Sequence, residues 1–243
     1  MDKYLAIPPI PVGKHVTVTV GGLTFNADTI WSTVLACLVV VALGLYLRRK
    51  VTSGVPGKLQ TVWEWVVTVV ATQVDNTLGR RYRHVVPIAV TIFFLVLTAN
   101  WIELLPGFFH NTDYLPSPSA DVNLTYALAV CVLIMTTAAG IRAKGFGGWV
   151  RAFFVKPMFL APIRVLETLV TNPLSLALRL FGNIFAGSIM IALLLAIPFY
   201  GAPLTIPLTI LWKLFDMFIG LLQAFIFALL TILYWQFAVS EEH

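Results

Sequence analysis

Residues 172–187 read NPLSLALRLFGNIFAG and place Arg179 inside a long, mostly apolar run. A guanidinium keeps its charge there, and burying it near a bilayer centre costs about 3 kcal/mol on insertion scales. At 100° per residue, Thr168, Asn172, Ser175, Arg179 and Asn183 lie within about 40° of one direction. They form one polar stripe flanked by Leu, Ile and Phe. Such a stripe can hydrogen-bond a partner helix or line a wet path. The plainer alternative is an arginine that snorkels to the interface. A second polar pair falls in KLFDMFIGLLQAFIFALLTILYW, where Asp216 and Gln223 stand seven apart on nearly one face. Gly220 lies between them, and Lys213 precedes Asp216 by one turn. Asp216 is either a carboxyl that exchanges protons in a hydrated cavity or half of a self-neutralised pair with Lys213.

These groups need membrane helices to hold them. Of the 243 residues 59% are hydrophobic and 11% charged, and the mean hydropathy is +0.89. That composition excludes an ordinary soluble domain and predicts an all-α integral membrane protein of one domain. Spans are expected at 29–47, 84–107, 123–141, 162–197 and 205–239. The segment 58–79 repeats Thr61, Glu64, Thr68, Thr72 and Asp75 every three or four residues, which suits an interfacial amphipathic helix better than a span. Residues 146–157 read as an interfacial connector. A continuous helix over 162–197 is about 50 Å long and must tilt strongly or break, since the hydrocarbon core is roughly 30 Å thick. Pro173 either kinks it or starts it with Asn172 as cap.

Basic residues set the expected topology. Seven cluster at Arg48, Arg49, Lys50, Lys58, Arg80, Arg81 and Arg83, and five at Arg142, Lys144, Arg151, Lys156 and Arg164. Both clusters are predicted to be cytoplasmic, with the N-terminus and the loop 106–122 outside and the tail SEEH inside. The net charge of +5 is thereby a topology signal, and no nucleic-acid partner is implied. The N-terminal 25 residues lack the basic and apolar regions of a signal peptide and are expected to stay on the chain as an external segment. Cys37 and Cys131 fall in apolar runs and read as buried thiols. His15, His84, His110 and His243 are scattered, so no metal, cofactor or intramembrane enzyme is expected.

Four motifs in order, NWIELLPG (100–107), ADVNLTYALA (120–129), PLSLALRLFGNIFAG (173–187) and LLQAFIFALLTILYW (221–235), resemble the a subunit of bacterial F-type ATP synthases. The resemblance runs from about residue 26 to the end. It implies a stator in the plasma membrane beside a rotating c ring, with the b or peripheral-stalk subunits and the other ATP synthase subunits as partners, and with no ATP chemistry of its own. Two half-channels for H⁺ would meet the ring on either side of Arg179, and the last two helices would form a tilted hairpin against it. An arginine cannot relay protons, but it lowers the pKa of a passing carboxylate and repels a proton crossing directly. Asn183, Ser175 and Gln223 would orient its fork by hydrogen bonds, with Asn172 further along the same stripe. Many family members carry a carboxylate one residue past the glycine of the arginine motif, paired with a histidine on the last helix. Those places here hold Ser188 and Asp216, so Asp216 becomes the candidate for the outer half-channel, with Ser188 its hydrogen-bonding partner and Lys213 its neighbour. Glu167, Asn123, Asp121 and Glu103 are weaker channel candidates, each equally suited to a rim or packing place. Outside the resemblance, a secondary transporter that binds an anionic solute through Arg179 stays open, as does an assembly protein whose polar stripes join helices.

Overall fold

The computed structural model describes residues 17–20, 22–52, 54–102, 108–109, 112–113, 118, 122–153, 174, 178 and 202–239. An antiparallel hairpin comes first, β1 (Thr17–Val20) and β2 (Leu23–Asn26), in the register Thr17↔Asn26 to Val20↔Leu23. It leads directly into α1, Ala27–Lys50. Asp28 lies in the first turn of α1 and Arg48, Arg49 and Lys50 in the last, each sign matching the helix dipole. Next is α2, Lys58–Thr77, tied to the preceding loop by buried Gln60. The Gln60 Oε1 accepts from the Thr52 N–H at 3.3 Å, and its Nε2 donates to the Thr52 carbonyl at 3.1 Å. A 3-10 segment, Arg80–Val85, then turns the chain into α3, Val86–Trp101, which has Pro87 at its start. Proline loses nothing there, since a first-turn N–H has no helical acceptor.

A two-residue hairpin, β3 (Phe108–Phe109) and β4 (Thr112–Asp113), occupies part of the loop after α3. The helix α4 covers Val122–Phe153 and breaks direction at Gly145, whose φ of 73° favours glycine. The expected connector at 146–157 is thus helical as far as Phe153, and its last residues lie outside the described ones. The final helix, α5, covers Ala202–Val239. Among the described residues, two short hairpins are therefore the addition to an otherwise all-α fold. Among the described residues, four helices are long and apolar enough to cross a membrane, within α1, Arg80–Trp101, Tyr126–Val150 and Ile206–Val239. The expected span at 162–197 lies outside the described residues, apart from Leu174 and Leu178, which are helical and exposed.

The helices meet through small side chains, as they must where lipid removes the usual hydrophobic drive between helices. Ala36 of α1 and Ala99 of α3 share one buried cluster with Ile102. On α4, a methyl group placed on Gly140 would sit 3.0 Å from the Ala238 carbonyl of α5. The main cluster joins α2, α3, α4 and α5 through Val70, Val74, Phe93, Val132, Ala224 and Phe227. Buried hydroxyls bond back to their own helix, Thr136 to Val132 O at 3.0 Å and Thr231 to Phe227 O at 2.9 Å, so neither needs water. The outward side of α1 carries Val34, Leu38, Val41 and Leu45, each more than half exposed and spaced for one face. That is a lipid-facing stripe.

Helix α2 has three faces. Val66, Val70 and Val74 pack into the core, with Trp63 stacked on Phe94 of α3 at 4.4 Å between ring centres. Leu59, Val62 and Trp65 are exposed and apolar. Thr61, Glu64, Thr68 and Thr72 are exposed and polar, with Thr68 and Thr72 each donating to the carbonyl four residues back. At the end of α2, Asp75 accepts a two-pronged bond from Arg83, one prong 3.0 Å from Nε. That bond holds the Asp75 carboxyl below the usual carboxylate range.

Candidate functional site

The described part of the site is the polar face of α5. At 38 residues this helix is about 57 Å long, nearly twice the hydrocarbon thickness. Its C-terminal end is fixed by contacts near the basic turns: Trp235 meets His84 edge-on at 6.0 Å, and Ala238 touches Gly140. Nearer its start, the last turn of α3 holds it. The Asn100 amide donates to the Gly220 carbonyl at 3.1 Å, and the Trp101 indole N–H donates to the Met217 carbonyl at 3.3 Å. A larger residue at Gly220 would press on α3, because a Cβ there would lie 3.1 Å from Asn100 Cβ. Glycine is what lets α3 approach closely enough for the bond.

Asp216 and Lys213 are both half-buried, just before this clamp along α5. Gln223, one turn past it, is 6% exposed, and its Nε2 has no hydrogen-bond partner among the described residues. Asp216, Gly220 and Gln223 are spaced by four and three, so all three share the face that α3 grips at Gly220. The acid thus stands at the end of the bundle opposite Arg80, Arg81 and Arg83. A half-buried carboxyl, a buried amide and two carbonyls engaged from α3 make a polar line through apolar helices. Such a line can pass or hold protons.

Of the other expected site residues, Asn123 is exposed in the first turn of α4, away from the clamp in the chain. Arg179, Asn172, Ser175, Asn183, Ser188 and Glu167 lie outside the described residues, as do Glu103 and Asp121. Metal-binding geometry is absent among the described residues, where no three His, Cys, Asp or Glu side chains gather. Cys37 and Cys131 are exposed rather than buried, because both point outward from helices whose outer faces are apolar.

Four residues of this region escaped the sequence pattern. Asn100 and Trp101 belong to the NWIELLPG motif, yet their acceptors are backbone carbonyls some 116 to 120 positions away, which side-chain spacing does not reveal. On α1, Asp28 and Ser32 are 1% and 0% exposed; Asp28 accepts from the Thr29 N–H at 2.8 Å, while Ser32 Oγ has no partner among the described residues. The available signal was polarity in the opening turns of an apolar helix.

Comparison with known proteins places this architecture. Residues 29–236 match the model of the family described as ATP synthase A chain. The chain is 44% identical to the ATP synthase subunit a of Acidothermus cellulolyticus, over 96% of this chain and 87% of that one. It is also 44% identical to that of Mycobacterium tuberculosis over the whole of both chains. The identity to that of Mannheimia succiniciproducens is 35%, over 96% and 97%. With the family match covering four spans and the polar face of α5, the chain belongs to the ATP synthase A chain family.

Proposed function

We propose that this chain is the proton-translocating stator of the membrane sector of an ATP synthase, and that its α5 face forms the wall of one half-channel. Membership of the family carries the general role and sets aside the solute-transporter alternative. The observation that carries the finer reading is the grip of Asn100 on Gly220, which turns Asp216 and Gln223 into the bundle at its non-basic end. Protons enter from the outer side, exchange on Asp216 with Ser188 as its hydrogen-bonding partner, and pass along Gln223 to a carboxylate of the c ring. Arg179, oriented by Ser175 and Asn183, keeps that carboxylate ionised as it passes and blocks direct crossing, since the guanidinium holds its proton at all accessible pH. Asn172 and Glu167 continue the wall, and Lys213 tunes the charge of Asp216. Released protons leave by the second half-channel to the cytoplasm. ATP is made and split on other subunits, and the peripheral stalk holds this one still.

The two basic clusters support a chain with its N-terminus outside and its C-terminus in the cytoplasm. The three faces of α2 support a helix at the inner membrane surface, with one side on the protein, one on lipid and one on water. The test of the path is Asp216→Asn in the assembled, reconstituted complex. A proton carrier predicts normal assembly with sharply reduced ATP-driven pumping, and partial recovery in Asp216→His combined with Ser188→Glu. Pumping like wild type in Asp216→Asn would remove the carboxylate from the path.

A further inference from the structure

Between α3 and α4 runs a groove of about 360 Å³ on the outer surface of the bundle. Its floor is Ile92 and Val132, both buried. Pro87 and Met135 close one end, Leu95 and Leu128 the other, and Cys131 stands exposed at its mouth. The volume is that of a small-molecule site, and the lining is almost wholly apolar. From Pro87 to Leu95 the groove is about 12 Å long, less than half of the roughly 30 Å hydrocarbon core. It is therefore short enough to fit within one leaflet.

Cations gather at its Pro87 end. Arg80 and Arg81 are exposed in the 3-10 segment that leads into α3. On α4, Leu128, Met135 and Arg142 recur at intervals of seven, so exposed Arg142 extends the groove-lining face by two turns. Lys144 follows. No Asp or Glu occurs in 78–95 or 128–153; Arg83 is engaged by Asp75, and Arg80 also lies in the field of that carboxylate, which leaves Arg81 and Arg142 as the cations of the rim. Among the described residues, the groove thus combines an apolar slot for a chain with a positive rim, Arg81 and Arg142, at its Pro87 end.

We infer that this groove is a binding site for an anionic phospholipid, one acyl chain lying between α3 and α4 and the phosphate facing Arg81 and Arg142. Each basic side chain near the membrane surface adds to the attraction for an anionic headgroup, whereas a zwitterionic lipid gains only the apolar contact. The site is independent of the proton path, which lies on the α5 face.

The test uses the assembled complex in bilayers that contain, at equal mole fraction, phosphatidylglycerol or phosphatidylcholine with a photoreactive acyl chain, followed by mapping of labelled peptides. Labelling of 87–95 and 128–135 is expected to be about ten-fold greater with phosphatidylglycerol. Arg81→Gln with Arg142→Gln brings the ratio near one while phosphatidylcholine labelling stays unchanged. Cys131→Trp, which fills the slot but keeps the arginines, lowers labelling by both lipids. Equal labelling by the two lipids in wild type would reduce the groove to bulk lipid contact. Absence of label from both would mean that a protein helix covers it, and a ratio that survives the double substitution would remove the arginines. Any of these three results overturns the assignment.

Discussion

Gly220→Ala tests how tightly α3 and α5 are set. The added Cβ would lie 3.1 Å from Asn100 Cβ and 3.5 Å from its amide nitrogen. Carbon atoms pack at about 3.5–4.0 Å, so the helices must part by roughly 0.5 Å. The Asn100 bond to the Gly220 carbonyl, 3.1 Å in the wild type, would then stretch to about 3.6 Å and cease to be a hydrogen bond. Losing it costs about 0.6 kcal/mol by the average for membrane helices, and overpacking adds about 1–3 kcal/mol. Alanine gains up to about 1 kcal/mol over glycine within a helix. The net expectation is a loss of about 0.6–2.6 kcal/mol at the α3–α5 contact, together with reduced ATP-driven proton pumping, because Asp216 and Gln223 bracket the displaced residue. Stability is read as the denaturing-detergent midpoint of the purified complex. The clash is between two Cβ atoms, so Asn100→Gly should relieve it in the Gly220→Ala background and Asn100→Ala should not. A Gly220→Ala complex as stable as wild type, with full pumping, would show that helix propensity outweighs the contact and would refute the clamp.

Arg179→Ala or Arg179→Gln is expected to assemble but to lose coupled synthesis and pumping, measured in inverted vesicles, since removing a buried charge costs no insertion energy. Lysine at 179 should restore only part, lacking the planar fork. For topology, Asp113→Cys and Tyr200→Cys in a background without Cys37 and Cys131 should react with an impermeant thiol reagent from outside, and Ser53→Cys and Ser240→Cys only from the cytoplasmic side. Asp75 has its carboxyl pKa depressed by Arg83, so the pair is complete above about pH 4 and is lost as pH falls through the depressed value. Hydrogen-exchange protection over 75–85, corrected for the intrinsic pH dependence of amide exchange, should accordingly be unchanged from pH 8 to pH 5 and fall only in stronger acid, and Asp75→Asn should lower it at every pH above that transition.

Apolar runs long enough to cross a bilayer are a local property, so α1, α3, α4 and α5 were legible in composition alone, to within a few residues at most ends. Residue 58 as the start of α2 and the polar column of that helix followed from its period for the same reason. The family, too, was carried by short contiguous motifs. What the chain could not state locally was which face of one helix meets which face of another. The stripe of Asp216, Gly220 and Gln223 was visible, but a stripe is equally a seam or a channel wall until its partner is known. The partner is an amide from Asn100 meeting a backbone carbonyl 120 positions later, and every residue has that carbonyl, so no side-chain pattern marks it. The slot between α3 and α4 arises in the same way, since how closely two helices approach is decided only in the packed bundle.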